Sequence, residues 1–380
     1  MRLSPYLSVL MWNEKDYFDG SGQGGKMPSP SFALRLYIWT ILDVLLMMAK
    51  GPEYPWTFDI DLFGGPDFWG LVHRDWRMCT IGHLQSPINL DPSHILYDPH
   101  LLPIQISDHR VDLNLENTGQ LPIATVIDTS KESVNITGGP ASPYNYKLHQ
   151  IIIHFGKAGG EKGSEHTVDR VRFPAEIQLF AYNSELYHNW TDARKNPRGI
   201  LAISVLVEVG KKTQTELRRL TVASQSVTHK GQNTTIKQVH PLSLIPRTAH
   251  YVTYEGSLTY PGCEEVVTWV IINNPLYITH EDLSIWNELQ KSETKQAEAA
   301  PMWPTYRPLR ALNGRLLRTN INIANKGGSC TSHVFTDLGY RANPARHNYG
   351  NNSIAKRHAL SIAEEAEAAF HSNHLAIDSL

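Results

Sequence analysis

Four stretches rich in apolar and β-branched residues dominate the middle of the chain: Gln150 to Phe155, Ala175 to Tyr182, Leu201 to Val209 and Val266 to Ile272. They are separated by segments carrying Pro, Gly and Asn turns. Runs of this length and make-up predict strands at the centre of a large sheet, covered on both faces. Glu281 to Gln290 predicts the best helix, and the polar Lys291 to Ala300 a loop. Beyond Asn322 the pattern weakens through Gly327-Gly328-Ser329 and an Asn-rich stretch to Asn352. Ala359 to Phe370 could form a short helix, within a tail at 324–380 expected to be mobile.

The amino-terminal end has a different character. Leu36 to Ala49 is an apolar run of 14 residues preceded by Arg35 and interrupted by Asp43. It has the charged start and short greasy middle of a signal peptide, and is too short and too polar for a membrane span. Initiation at Met27 rather than Met1 would give that signal an ordinary length. Residues 1–50 are accordingly an extension whose apolar part is expected to be cleaved rather than kept as an anchor.

Composition narrows the function classes. The chain has 380 residues, 41% of them hydrophobic, and a formal charge of −2, so a large core is possible and nothing favours a nucleic acid partner. It has no phosphate-binding glycine loop, no Gly-x-Ser-x-Gly and no His-Glu-x-x-His. The 18 histidines are scattered. Asn135, Asn189, Asn233 and Asn351 begin Asn-x-Ser/Thr sequons, candidates for glycosylation in a secreted protein.

Motifs in a fixed order carry a resemblance. Phe68-Trp69-Gly70, Gln85-Ser86-Pro87-Ile88-Asn89, Ser164-Glu165-His166-Thr167, Gly256-Ser257-Leu258-Thr259, Thr268-Trp269 and Tyr306-Arg307-Pro308 resemble the α-type carbonic anhydrases over roughly residues 66 to 323. The resemblance implies a mainly β (α+β) fold: one domain, 58–323, on a large twisted, mostly antiparallel central sheet with short peripheral helices. In that family three histidines hold zinc, two at i and i+2 on one strand, which places them on one face, and one on the neighbouring strand. Carried over, those positions are Ile152, His154 and Gln178, so one histidine of the three remains. His149 lies five residues from His154, and regular pleating would aim the two at opposite faces.

The same resemblance gives other positions their roles. Thr259 and Glu165 match the pair that orients the zinc-bound hydroxide, and Glu176 the carboxylate that fixes a ligand imidazole. Without a metal they are expected to form a buried hydrogen-bond network supporting the sheet. Gln120 occupies the proton-shuttle position and cannot relay a proton near neutral pH. Tyr260 stands where many active relatives carry a small residue. Cys79 and Cys263 match the disulfide of extracellular members, which leaves Cys330 free, bound to a partner, or bridging a dimer.

Within the family, His154-Phe155-Gly156 and Asn135-Ile136-Thr137-Gly138 most resemble the non-catalytic carbonic anhydrase-related proteins X and XI. That likeness implies a secreted, inactive binding module without a metal cofactor, engaging an extracellular or cell-surface protein, with neuronal surfaces and neurexin-type receptors as the setting. The alternative is a residual hydro-lyase interconverting carbon dioxide and bicarbonate, with zinc held by other ligands.

Overall fold

The computed structural model describes residues 56–127, 133–157, 159–160, 162–293 and 300–322. The expectations for residues 1–50, the apolar run 36–49, Met1 or Met27, Cys330, Asn351 and the tail 324–380 lie outside the described residues, as do 294–299 of the predicted loop.

A 13-stranded mixed sheet forms the body. Ten of its strands run in one path, here numbered along the chain: β1 Ile95–Tyr97, β2 Val111–Asn117, β3 Pro122–Val126, β4 Tyr146–Phe155, β5 Ala175–Asn183, β6 Ile200–Val209, β7 Asn233–Val239, β8 Tyr251–Gly256, β9 Val267–Ile272 and β10 Leu317–Thr319. Their order across the sheet is β7-β2-β3-β4-β5-β6-β9-β8-β10-β1. Pairing is antiparallel except at β6 with β9 and β10 with β1 along this path, and at the short strand Leu276–Ile278 beside β6. The four apolar stretches become β4, β5, β6 and β9, the middle of the sheet. Every residue of β5 except Tyr182 is buried, and β6 is buried from Ile200 to Val207. This explains why these strands read as continuous runs: both faces are covered, so alternation has no solvent side to show.

Each face carries its own core. On one lie Leu148, Ile151, Ile153, Phe155, Ile177 and Leu179, with two helices packed over the same cluster: α1, Thr215–Ser224, through Leu217 and Leu220, and α2, His280–Asn287, through Leu283 and Trp286. On the other lie Ile152, Phe180, Leu206, Trp269, Phe58 and Trp69.

Helix α2 begins where predicted. Thr279 caps it by accepting from Asp282 N at 3.2 Å, and Glu281 and Asp282 place negative charge at the positive end of the helix. It ends at Asn287 instead of Gln290, because Gln290 N donates to Thr228 O and Gln290 bridges Pro301. The chain has a longer helix than the one expected to be best: α1 has 10 residues, and its inward stripe includes Thr221 and Ser224. Ser224 Oγ satisfies itself on Leu220 O at 2.9 Å, so polar residues occupy positions where periodicity looks for apolar ones.

Candidate functional site

The register of β4 against β5 builds the site. Ile152 stands opposite Gln178 and His154 opposite Glu176, and the i, i+2 spacing turns Ile152 and His154 to one face. After β4 the chain makes a pinch that only glycine allows: a Cβ on Gly156 would lie 1.5 Å from Lys162 O, and one on Gly163 would lie 1.7 Å from Pro174 O. That close approach brings Ser164-Glu165-His166 back over the strands.

Glu176, wholly buried, is the hub. Its Oε2 accepts from the backbone N of Glu165 at 2.9 Å and of His166 at 2.8 Å. Its Oε1 faces His166 Nδ1 at 2.9 Å and accepts from Gln178 Nε2 and Ser204 Oγ, both at 2.8 Å. Burial alone would raise its pKa, but His166 foremost, then His154 and the Gln178 amide, outweigh it and hold the carboxyl at about 2. His166 Nε2 continues the chain to Tyr254 Oη at 2.7 Å, which donates to Ser86 Oγ at 2.9 Å. Burial pushes the Tyr254 phenol far above its ordinary range.

The amide of Gln178 decides what His154 can do. Its Nε2 donates to two carboxylates, Glu176 at 2.8 Å and Glu165 Oε2 at 3.3 Å. Rotating the amide would set an oxygen against both anions, so the oxygen is held towards His154 Nε2, at 3.1 Å. The other ring nitrogen, Nδ1, contacts the carbonyl of Thr305. An oxygen therefore faces each ring nitrogen, and neither nitrogen is left open towards a shared ion. Glu165 Oε1 stands 3.7 Å from His154 Nδ1 and accepts from Arg307 N at 2.9 Å. Ile152 adds only hydrocarbon. These residues do not fit a three-ligand zinc tripod, and among the described residues no three His, Cys, Asp or Glu are grouped to share an ion.

The expected network holds Glu165 and Glu176 but not Thr259. Thr259 is buried, and its Oγ1 has no hydrogen-bond partner among the described residues. Glu165 accepts from Arg307 N and Gln178 Nε2, and among the described residues no hydrogen bond joins it to Thr259. Gln120 is half-buried in the turn after β2, with its Oε1 likewise unpartnered. Tyr260 packs against the core on this face, its ring 6.4 Å from that of Phe180 and its hydroxyl accepting from Gln150 Nε2 at 3.4 Å.

His149 corrects the pleating argument. A bulge shifts the β4–β5 register between Phe180 and Ala181, opposite Leu148 and Gln150. Leu148 and Ile151 consequently share one core although they are three residues apart, and His149 turns to the same face as His154. There it stacks on Trp190, with ring centroids 4.7 Å apart, and burial followed by Lys147 lowers its pKa to about 4. Five residues still place it roughly 16 Å along the strand from His154, beyond reach of a common ion.

Behind the site, Cys79 and Cys263 are joined in a disulfide spanning 184 residues. Arg307, fully buried, ties the same region: Nη1 donates to Gln85 Oε1 and Ser86 O, both at 2.8 Å, and Nη2 to Cys79 O at 3.2 Å. Its motif is visible in the sequence, but nothing there announces that the guanidinium is buried. Ser204 and Thr305 carried no signal at all, since one is a small polar residue in an apolar run and the other acts through its backbone carbonyl. Of the sequons, Asn189 and Asn233 are exposed and Asn135 is half-buried. Among the described residues no helix is long and apolar enough to cross a membrane.

Comparison with known proteins places the chain among relatives. Residues 64–321 match the family model for eukaryotic-type carbonic anhydrase. The chain is 60% identical to putative carbonic anhydrase-like protein 2 of Caenorhabditis elegans over 313 residues, which cover 80% of this chain and 93% of that protein. It is 37% identical to putative carbonic anhydrase-like protein 1 of the same organism, over 72% of this chain and 92% of that protein.

Proposed function

The chain belongs to the eukaryotic-type carbonic anhydrase family, and we propose that it is a catalytically inactive member that acts as a secreted protein-binding module and holds no zinc. One observation carries the reading: the imidazole nitrogen that would face a metal faces the Gln178 amide oxygen, which two carboxylates hold in place. A hydroxide-generating zinc needs three protein ligands and an open fourth position. Ile152, His154 and Gln178 supply at most one imidazole of the three. The names of the two relatives, carbonic anhydrase-like, support a departure from the enzyme.

The Cys79–Cys263 disulfide and the exposed sequons at Asn189 and Asn233 support an oxidising, secretory environment. The resemblance to proteins X and XI supports an extracellular or cell-surface partner of neurexin type. Zinc content of the purified protein, and carbon dioxide hydration with and without added zinc, test the proposal. Sub-stoichiometric metal and no turnover are expected, whereas one zinc per chain with hydration overturns it in favour of a hydro-lyase.

A further inference from the structure

We propose that the turn 59–65, with Phe63 at its tip and Leu71 beside it, is the docking knob of the binding module, and that its partner is an extracellular protein offering an apolar socket edged by Lys or Arg. The inference rests on the binding-module reading and names the surface that performs it.

Four large apolar side chains project here in one short region: Ile60 is 55% exposed, Leu62 52%, Phe63 78% and Leu71 71%. Single exposed apolar residues are ordinary, but a contiguous group marks an interaction site. Ile60, Leu62 and Phe63 share one tight turn, and Phe68 links it to the short helix that carries Leu71. The Phe63 ring lies 5.4 Å from that of Phe68, and Phe68 O accepts from Leu71 N at 2.8 Å.

The knob is rigid before any partner arrives. Thr57 N donates to Gly64 O and Gly65 N to Leu62 O, both at 2.9 Å, closing the turn at its base. Asp59 Oδ1 accepts from Asp61 N at 3.1 Å inside it. A Cβ on Gly65 would stand 2.1 Å from Asp59 O, so the close approach requires glycine. Beneath, Trp56, Phe58 and Trp69 meet edge to face with centroids 5.3 to 5.6 Å apart, and Trp69 Nε1 donates to Thr57 O. The exposed side chains thus sit on a buried aromatic pedestal, and ordering cost at binding is small. Aromatic side chains, Phe among them, are enriched at protein interfaces.

Charge selects the partner class. Residues 56–68 contain three aspartates and no Lys, Arg or His. Asp61 and Asp67 are exposed at the rim, Asp67 with Arg310 Nη2 at 3.5 Å. Carboxylates around an apolar tip oppose an anionic bilayer and favour a socket with basic edges.

The test uses the full-length secreted chain, with cultured neuronal cells as the probe and bound protein measured by flow cytometry. Phe63→Ser is expected to lower binding at least about tenfold, with an unchanged melting temperature because the side chain is solvent-facing. Asp61→Asn with Asp67→Asn should weaken binding at low salt and flatten its salt dependence. Trypsin treatment of the cells should abolish binding. The proposal is overturned if wild type binds and Phe63→Ser binds equally, if binding survives trypsin or transfers to protein-free vesicles of phosphatidylcholine and phosphatidylserine, or if sedimentation shows a Phe63-dependent dimer of this chain. A wild-type chain that binds no cells overturns the binding-module reading along with it, which separates the two failures.

Discussion

Gln178 Oε1 stands 3.1 Å from His154 Nε2, on the side of the imidazole that a zinc ion would need. The pairing is imposed from behind, by two carboxylates gripping the amide nitrogen. On the proposed reading, loss of metal binding would follow from two side chains, Ile152 and Gln178, which stand opposite each other across the strand pair. Ile152→His together with Gln178→His should give a chain that binds about one zinc, seen by metal analysis and by the visible spectrum of a cobalt-substituted form. Either single variant should bind far less, because two imidazoles do not close the site. A folded double variant without metal would show that Tyr260 and its neighbours have reshaped the cavity.

Thr259 makes the opposite kind of prediction. Its hydroxyl is buried and has no partner among the described residues, which leaves its desolvation uncompensated there. Thr259→Val keeps the shape and removes the polar atom, and should leave stability unchanged or raise it by about 1 kcal/mol. Urea denaturation reads this directly. A loss of more than that would mean the hydroxyl has a partner after all.

Glu176 sets an acid limit. Its folded pKa of about 2 lies below the ordinary 4.5, so the stability it contributes is fully present above pH 4.5 and is lost as pH falls towards 2. The urea midpoint of the wild type should fall through that window. Glu176→Gln should lie lower at neutral pH and show a flatter decline below 4.5.

The disulfide is the largest single cross-link. In the chain-entropy picture a loop of 184 residues corresponds to about 5 kcal/mol, an upper figure for what Cys79→Ser with Cys263→Ser would lose. Melting in the presence and absence of reductant measures it, and equal melting temperatures would contradict the assignment.

Arg307→Met tests the link between the buried arginine and the rest of the site. Three acceptors, Gln85 Oε1, Ser86 O and Cys79 O, lose their donor in a buried setting, and a cost of about 3 to 5 kcal/mol is expected. Thermal melting checks it, with Arg307→Lys falling between the two because an ammonium cannot reproduce the fork.

Much of this was legible in the chain itself, and for identifiable reasons. The central strands announce themselves because a doubly covered strand must be apolar throughout. The shared face of Ile152 and His154 was readable because i, i+2 spacing in a strand fixes it, while their match to ligand positions came from the resemblance alone. The helix α1 was not, because Thr221 and Ser224 fill buried positions while keeping their hydroxyls satisfied locally, as Ser224 does on Leu220 O. Nor could a pattern reveal that Thr259 has parted from Glu165, since that depends on how Arg307 and Gln178 approach the carboxylate. His149 misled for a third reason: alternation counts residues, and a bulge adds one that the count does not know about.

That extra residue in β4 is a hinge of parity. Upstream of it even-numbered side chains feed the helix-covered core, and downstream the odd-numbered ones do. Regular pleating through the whole strand would force either Tyr146 and Leu148 or Ile151, Ile153 and Phe155 out of that core, whereas deleting His149 would leave all five on one face. The strand's two halves are thus locked into a common register by an irregularity, since straightening the ribbon without shortening it would turn one half inside out.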